Sequence, residues 1–310
     1  MKYRSILNDK NLVSFSEALF EGLANDGSLF VPNEIPNYNL KKKYVNYFNL
    51  AQDIIYPFVK ENINLNELKK ICEESFNFEV PLKKLDDNIY ILELFHGPTL
   101  AFKDFAARFL ARSFSLLNKN KLTILVATSG DTGGAVANGF SGVKGINVVI
   151  LYPSKRVTEI QELQLTRVKK NVKTIEVSGT FDDCQKLVKM AFSDKKLRNN
   201  VNLTSANSIN IGRLIPQITY YIWAKNKLNE SSNPVFCVPS GNLGNLTGGI
   251  LAKLSGIKIK SFLAATNSND SLVRYLKNGS FKIESTIKTI SNAMDVGNPS
   301  NLERIKFLYN

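Results

Sequence analysis

The run Leu122-Thr123-Ile124-Leu125-Val126-Ala127 is apolar at consecutive positions rather than at every second one, and a helical pattern flanks it on each side. A strand of that kind cannot turn one face to water, so it belongs in a sheet covered on both faces. Such sheets are built from parallel strands joined by helical crossovers, which makes α/β the expected fold class. The rest of the chain follows the same alternation. Further strands are predicted at Ile89 to Leu94, Ile146 to Tyr152, Val172 to Val177, Val235 to Val238 and Ile259 to Ala264. Helices are predicted over Asp104 to Leu117, Gly133 to Phe140, Arg156 to Lys169, Phe181 to Phe192, Ile209 to Leu228, Gly244 to Leu254, Asp270 to Lys277 and Leu302 to Leu308. Ligands of these sheets sit beyond the C-terminal ends of the strands, so the loops there are the places to look for chemistry.

Ahead of this alternation, residues 1–85 read as a small, mostly helical lobe, and residues 86–310 as the α/β region. Ser14 or Ser16 can cap a first helix carrying Phe15, Ala18, Leu19 and Leu23. Leu29 to Val31 gives a short strand closed by Pro32, and helices fit Leu50 to Val59 and Leu65 to Phe76.

Composition excludes several functions. No apolar run approaches the roughly 20 residues of a membrane span, and the N-terminus lacks a signal-peptide core, so a cytoplasmic protein without membrane partners is expected. Cys72, Cys184 and Cys237 are far apart and lack CxxC spacing, and are read as reduced core residues. One histidine, His96, cannot build a His-rich metal site, and no metal is expected; in a strand-to-turn position it reads as a structural hydrogen-bonding group. The formal charge of +13 is scattered over Lys41-Lys42-Lys43, Lys83-Lys84, Lys169-Lys170 and Lys195-Lys196, without an aromatic-interleaved stripe. Solvated faces are therefore expected rather than a nucleic-acid surface, while the positive field favours an anionic substrate.

Three loops carry candidate chemistry. In Leu94-Phe95-His96-Gly97-Pro98-Thr99-Leu100-Ala101-Phe102-Lys103-Asp104-Phe105, a Gly-Pro turn leads into a helix whose first turn puts a lysine between two phenylalanines. Desolvation there would lower the Lys103 pKa toward a nucleophilic range, suited to a Schiff base with a carbonyl compound such as pyridoxal phosphate; the alternative is an ammonium that snorkels to water. After the strand at Leu122 comes Thr128-Ser129-Gly130-Asp131-Thr132-Gly133-Gly134. Its small residues at a helix start can gather N–H groups around a carboxylate or phosphate, or else form a tight turn capped by Asp131 or Thr132. After the strand at Val235 comes Pro239-Ser240-Gly241-Asn242-Leu243-Gly244-Asn245, which can wrap a phosphate as a nest or serve as ordinary turn chemistry. Neither Walker spacing nor GxGxxG is present.

In order along the chain, these motifs make it similar to the threonine synthases, pyridoxal-phosphate enzymes of the tryptophan-synthase-β fold type (fold type II). The resemblance runs from Ser14-Phe15-Ser16-Glu17-Ala18 and Asp26-Gly27-Ser28-Leu29-Phe30-Val31-Pro32 through the three loops and Asn207-Ser208-Ile209-Asn210 to Ala293-Met294-Asp295-Val296 and Asn298-Pro299-Ser300-Asn301. It implies mostly parallel sheets in two lobes with the cofactor between them, plus the small helical N-terminal region. It implies that Lys103 is catalytic and holds pyridoxal 5'-phosphate as a Schiff base, that Gly241, Asn242, Leu243, Gly244 and Asn245 bind the cofactor phosphate, and that Ser129, Gly130, Asp131 and Thr132 meet the cofactor ring and the substrate carboxylate.

For the substrate, the same resemblance points to Thr128, Ser129 and Thr132, and to Asn207, Ser208, Arg213 and Lys155 or Arg156 for its phosphate; Arg156 reads equally as a solvent-facing helix start. The implied reaction is a lyase step of threonine biosynthesis, O-phospho-L-homoserine and water giving L-threonine and phosphate, in a monomer or homodimer. Enzymes of this resemblance continue past Asn-Pro-Ser-Asn, so a chain stopping at Asn310 is expected to lack further sheet elements and the polar group set against the pyridine nitrogen. A serine or threonine dehydratase of the same fold, or an inactive truncated binder of pyridoxal phosphate or phosphate, are the alternatives.

Overall fold

The computed structural model describes residues 1–39, 42–168 and 170–309. The N-terminal part comprises β1 (Tyr3–Ser5), α1 (Phe15–Glu21), β2 (Phe30–Pro32), α2 (Tyr47–Val59), α3 (Leu65–Ser75), β3 (Leu82–Asp86) and β4 (Ile89–Leu92). There follow α4 (Lys103–Leu117), β5 (Leu122–Ala127), α5 (Asp131–Phe140), β6 (Ile146–Pro153), α6 (Glu159–Thr166), β7 (Val172–Val177), α7 (Phe181–Ser193), α8 (Lys195–Asn200) and β8 (Leu203–Thr204). The last part holds α9 (Ile211–Lys227), β9 (Val235–Pro239), α10 (Gly244–Leu254), β10 (Ser261–Ala265), α11 (Ser271–Asn278), a 3₁₀ turn at Asn292–Met294 and α12 (Leu302–Tyr309).

The central sheet runs β7-β6-β5-β8, every pairing parallel, with Leu122 opposite Ile146 and Ala127 opposite Leu151. Leu122, Ile124 and Val126 face the main core, while Leu125 and Ala127 join a second cluster with Leu151, Cys184 and Val188 beneath α7. Burial on both faces is what the uninterrupted apolar run demanded. β9 and β10 form a second parallel pair, which leaves Val235 and Leu263 exposed.

Helix starts follow local chemistry. Ser14 with Glu17, Asn64 with Glu67, and Thr158 with Gln161 close reciprocal capping boxes at α1, α3 and α6. Phe105 packs edge-on against Tyr47, Phe78 and Tyr220, with ring centroids 4.9–5.5 Å apart, so α4 is fixed between the N-terminal helices and α9. The N-terminal part is also tied to α9 by Tyr47 with Thr219 (2.5 Å) and by the Trp223 indole N–H donating to Val80 O (2.7 Å).

Several expectations need correction. The run from Ile89 was expected in the parallel sheet, yet β4 turns back antiparallel onto β3 through the short Asp87-Asn88 connection, because residues so close in sequence can pair only as a hairpin. The helix expected from Arg156 begins at Glu159, since Lys155 adopts φ 57° and Thr158 supplies the cap; its expected end at Lys169 lies outside the described residues, as does Lys41 of the first lysine cluster. Cys237 is exposed on β9 rather than in the core. Among the described residues no helix is long and apolar enough to cross a membrane.

Candidate active site

Lys103 is placed by the turn before it. The buried Asp104 carboxylate accepts the Thr99 N–H at 2.8 Å and the Thr99 hydroxyl at 2.7 Å, folding residues 97–99 back over the start of α4. A Cβ at Gly97 would lie 2.5 Å from Asp104 Oδ2, so that closure needs glycine. The Lys103 side chain is 11% exposed, its Nζ 3.3 Å from Asp131 Oδ2 and 4.9 Å from the centre of the Phe102 ring. Burial pushes its pKa below the ordinary lysine value; Asp131 opposes that shift and Arg213 adds to it.

Asp131 opens α5 at the end of β5, where the cap is Gly130 rather than Asp131 or Thr132. Gly130 has φ 151°, and a Cβ there would sit 2.5 Å from Gln161 Nε2. The Thr128 hydroxyl accepts the N–H groups of Gly130 (3.1 Å) and Gly133 (2.8 Å), so it is engaged in shaping the loop. Asp131 Oδ1 accepts Gln161 Nε2 at 2.7 Å, and Gln161 Oε1 accepts Asn292 Nδ2 at 2.9 Å. This chain of bonds fixes which carboxylate oxygen faces the lysine.

The turn after β9 is held from behind. Leu243 takes a left-handed conformation (φ 60°) at the cap of α10, and a Cβ at Gly241 would come within 2.9 Å of Met294 Cα. The Asn242 amide donates to Ser208 Oγ (2.6 Å) and its Oδ1 accepts from Ser300. Asn245 Oδ1 accepts the Tyr220 and Tyr221 hydroxyls, both at 2.6 Å. The first N–H groups of α10 have no carbonyl one turn behind them, and they open where a helix dipole favours an anion.

These pieces share one cavity of about 1130 Å³. Lys103, Thr128, Ser129, Thr132, Asn207, Ser208 and Arg213 line it, together with Gly241, Asn242, Leu243, Gly244 and Asn245. Gly130 is not among the lining residues, and Asp131 reaches the site through Lys103. Lys155 and Arg156 lie outside, on the exposed turn after β6. Sequence reasoning passed over Gln161, Asn301 and Arg304, whose work depends on contacts between distant segments, and Lys189 and Arg198, which add positive charge to the wall. A hint was available for Gln161, at the third position of a Thr-x-x-Gln capping box.

Residues 72–307 match the family described as "Pyridoxal-phosphate dependent enzyme", and residues 2–76 match "Threonine synthase N terminus". The threonine synthase of Buchnera aphidicola subsp. Acyrthosiphon pisum (strain APS) is 47% identical over 100% of this chain and 74% of its own length. The chain belongs to the threonine synthase family. The crystal structure of threonine synthase from Escherichia coli superimposes with a TM-score of 0.93 at 40% identity, covering 100% of this chain and 74% of that one. The pyridoxal-phosphate-bound threonine synthase from Brucella melitensis gives 0.92 at 36% identity, covering 99% and 69%. The fold is thus that of the fold type II enzymes, and the family's cofactor is pyridoxal phosphate.

The cavity fits that cofactor. Among the described residues, two buried polar atoms of its lining, Arg213 Nε and Asn207 Oδ1, lack a hydrogen-bond partner, which leaves them available to a polar guest. A shielded amine stands in the same space as a helix N-terminus free to receive a phosphate.

Proposed function

We propose that this chain converts O-phospho-L-homoserine and water into L-threonine and phosphate, with Lys103 as the cofactor anchor and proton carrier. The observation that carries the reading is the opening of the Lys103 amine and the N-terminus of α10 into one cavity. Bound pyridoxal phosphate supplies an electron sink that makes the Cα proton of an attached amino acid acidic.

Everything else falls to the chain. The N–H groups of the Gly241 to Asn245 turn hold the cofactor phosphate, and Ser129 and Thr132, which line the cavity, receive the substrate carboxylate. Lys103 Nζ, whose pKa burial lowers, takes the proton from Cα and returns it later in the cycle. Asn207, Ser208 and Arg213 receive the substrate phosphate, and the unpaired Arg213 Nε supplies a fixed donor as negative charge develops on the leaving group. Residues 1–85 serve as a separate lobe packed on the catalytic region 86–310. The free thiols of Cys72, Cys184 and Cys237 suit a reducing cytoplasm.

The test is phosphate release from O-phospho-L-homoserine, run beside keto-acid release from threonine. The reading expects the first to dominate, and expects Lys103→Ala to abolish it together with the Schiff-base absorbance. Keto acid without phosphate release would overturn it in favour of a dehydratase, and cofactor binding without either product would leave only a binder.

A further inference from the structure

Arg304 on α12 is fully buried, and among the described residues every acceptor it meets is neutral. Its Nε donates to Phe30 O at 3.0 Å, Nη1 to Ser208 O at 3.1 Å and Asn301 Oδ1 at 2.7 Å, and Nη2 to Ile209 O at 2.5 Å. Burial pushes its pKa down to about 9. A guanidinium so placed is expensive, and its position calls for a structural return elsewhere.

That return lies two bonds away. Asn301, oriented by Arg304, donates its Nδ2 to Asn242 O at 3.0 Å. Ser208, whose carbonyl Arg304 holds, accepts Asn242 Nδ2 on its hydroxyl at 2.6 Å. Asn242 Oδ1 is taken by the N–H and hydroxyl of Ser300, next to Asn301. The Asn242 side chain is thereby tied on its amide and its oxygen, and its backbone carbonyl on a third side. With Asn242 pinned, Leu243 is held at its left-handed φ and the following N–H groups keep their direction into the cavity.

We infer that Arg304 is a positioning residue for the cofactor phosphate turn, acting through Ser208 and Asn301 on Asn242. Arg304 is not among the residues that line the cavity. The inference rests on the reading that residues 241–245 hold the cofactor phosphate, and it adds α12 to the parts that keep that cradle in shape.

The experiment compares binding of pyridoxal phosphate and of pyridoxal, which lacks the phosphate, to the apo-protein by absorbance titration. Arg304→Met and Asn301→Ala are expected to weaken pyridoxal phosphate by about tenfold, the scale seen when a supporting group is removed behind a bound charged centre. Pyridoxal affinity should stay unchanged, and Arg304→Lys, which keeps the charge and some donors, should recover part of the loss. A general structural defect would weaken both ligands alike, and that result would overturn the inference, as would an unchanged preference for the phosphorylated form. Should Arg304→Met fail to fold, Asn301→Ala decides by the same two criteria. If the unaltered protein shows no preference for the phosphorylated ligand, the assignment of the turn itself is rejected and this inference with it. A preference present there and intact in the variants rejects only the part given to Arg304.

Discussion

Asp131 Oδ2 stands 3.3 Å from Lys103 Nζ, while the other oxygen of the same carboxylate is held by Gln161. Two opposed influences therefore set the lysine: burial and the Arg213 charge lower its pKa, and Asp131 raises it. Imine formation needs the neutral amine, so its rate in the apo-protein should rise with pH through an inflection below the ordinary lysine value of about 10.4. Asp131→Asn removes the group that favours the ammonium. The inflection is expected to move to lower pH, as stopped-flow absorbance at a series of pH values would record; a shift upward would show that Asp131 does not act on the amine as a charge.

The turn ahead of the lysine depends on Asp104. Asp104→Ala would leave the Thr99 N–H and hydroxyl buried without an acceptor, a loss of about 3 kcal/mol for the two donors together. Urea unfolding of the apo-protein should show it as a lower midpoint with an unchanged slope. The released turn should also slow imine formation at Lys103, since the helix start that aims the side chain would no longer be closed. An unaltered midpoint would mean that the two bonds contribute nothing to the fold.

Gly241 gives a steric version of the same question. Its missing Cβ would lie 2.9 Å from Met294 Cα and 3.0 Å from Met294 O, backbone atoms that cannot swing aside. Gly241→Ala must therefore push the turn away from the 3₁₀ segment, at a cost of about 1–3 kcal/mol. The expected readout is weaker binding of pyridoxal phosphate together with a modest loss in thermal stability. Unchanged cofactor affinity would place the phosphate away from this turn.

Which of these features could be read in advance follows from how local their causes are. The apolar run at Leu122, a serine cap at Ser14 for the first helix, and the lysine opening α4 are written in adjacent residues, and the structure carries them with shifts of a residue or two at the ends. Family motifs carried the cofactor and the reaction class further than periodicity could. The Asp131–Lys103 contact, the Gln161 support and the Arg304 hub join segments far apart in the chain, and no local pattern encodes them. β4 misled because an apolar strand at the edge of a hairpin resembles one in a parallel sheet until its partner is known. Lys155 and Arg156, candidates taken from the family resemblance, sit on the exposed turn after β6, where the left-handed φ at Lys155 and the start of α6 at Glu159 depend on local backbone that charge does not encode.

Arg213 allows the last test, because it should act in two separable ways. Its guanidinium is buried at the cavity wall, Nη1 donates to Ala206 O at 2.7 Å, and Nε is without a partner among the described residues. If Nε is reserved for the substrate phosphate, Arg213→Met should raise KM for O-phospho-L-homoserine by about 10- to 100-fold, the range for a lost hydrogen bond to a charged group. Competition by inorganic phosphate should weaken in parallel. The same replacement removes a positive charge that holds the Lys103 pKa down, so the imine-formation inflection should move to higher pH, opposite in sign to the Asp131→Asn shift. A rise in KM without that pH shift would assign Arg213 to the substrate alone, and a pH shift without the KM change would assign it to tuning the lysine.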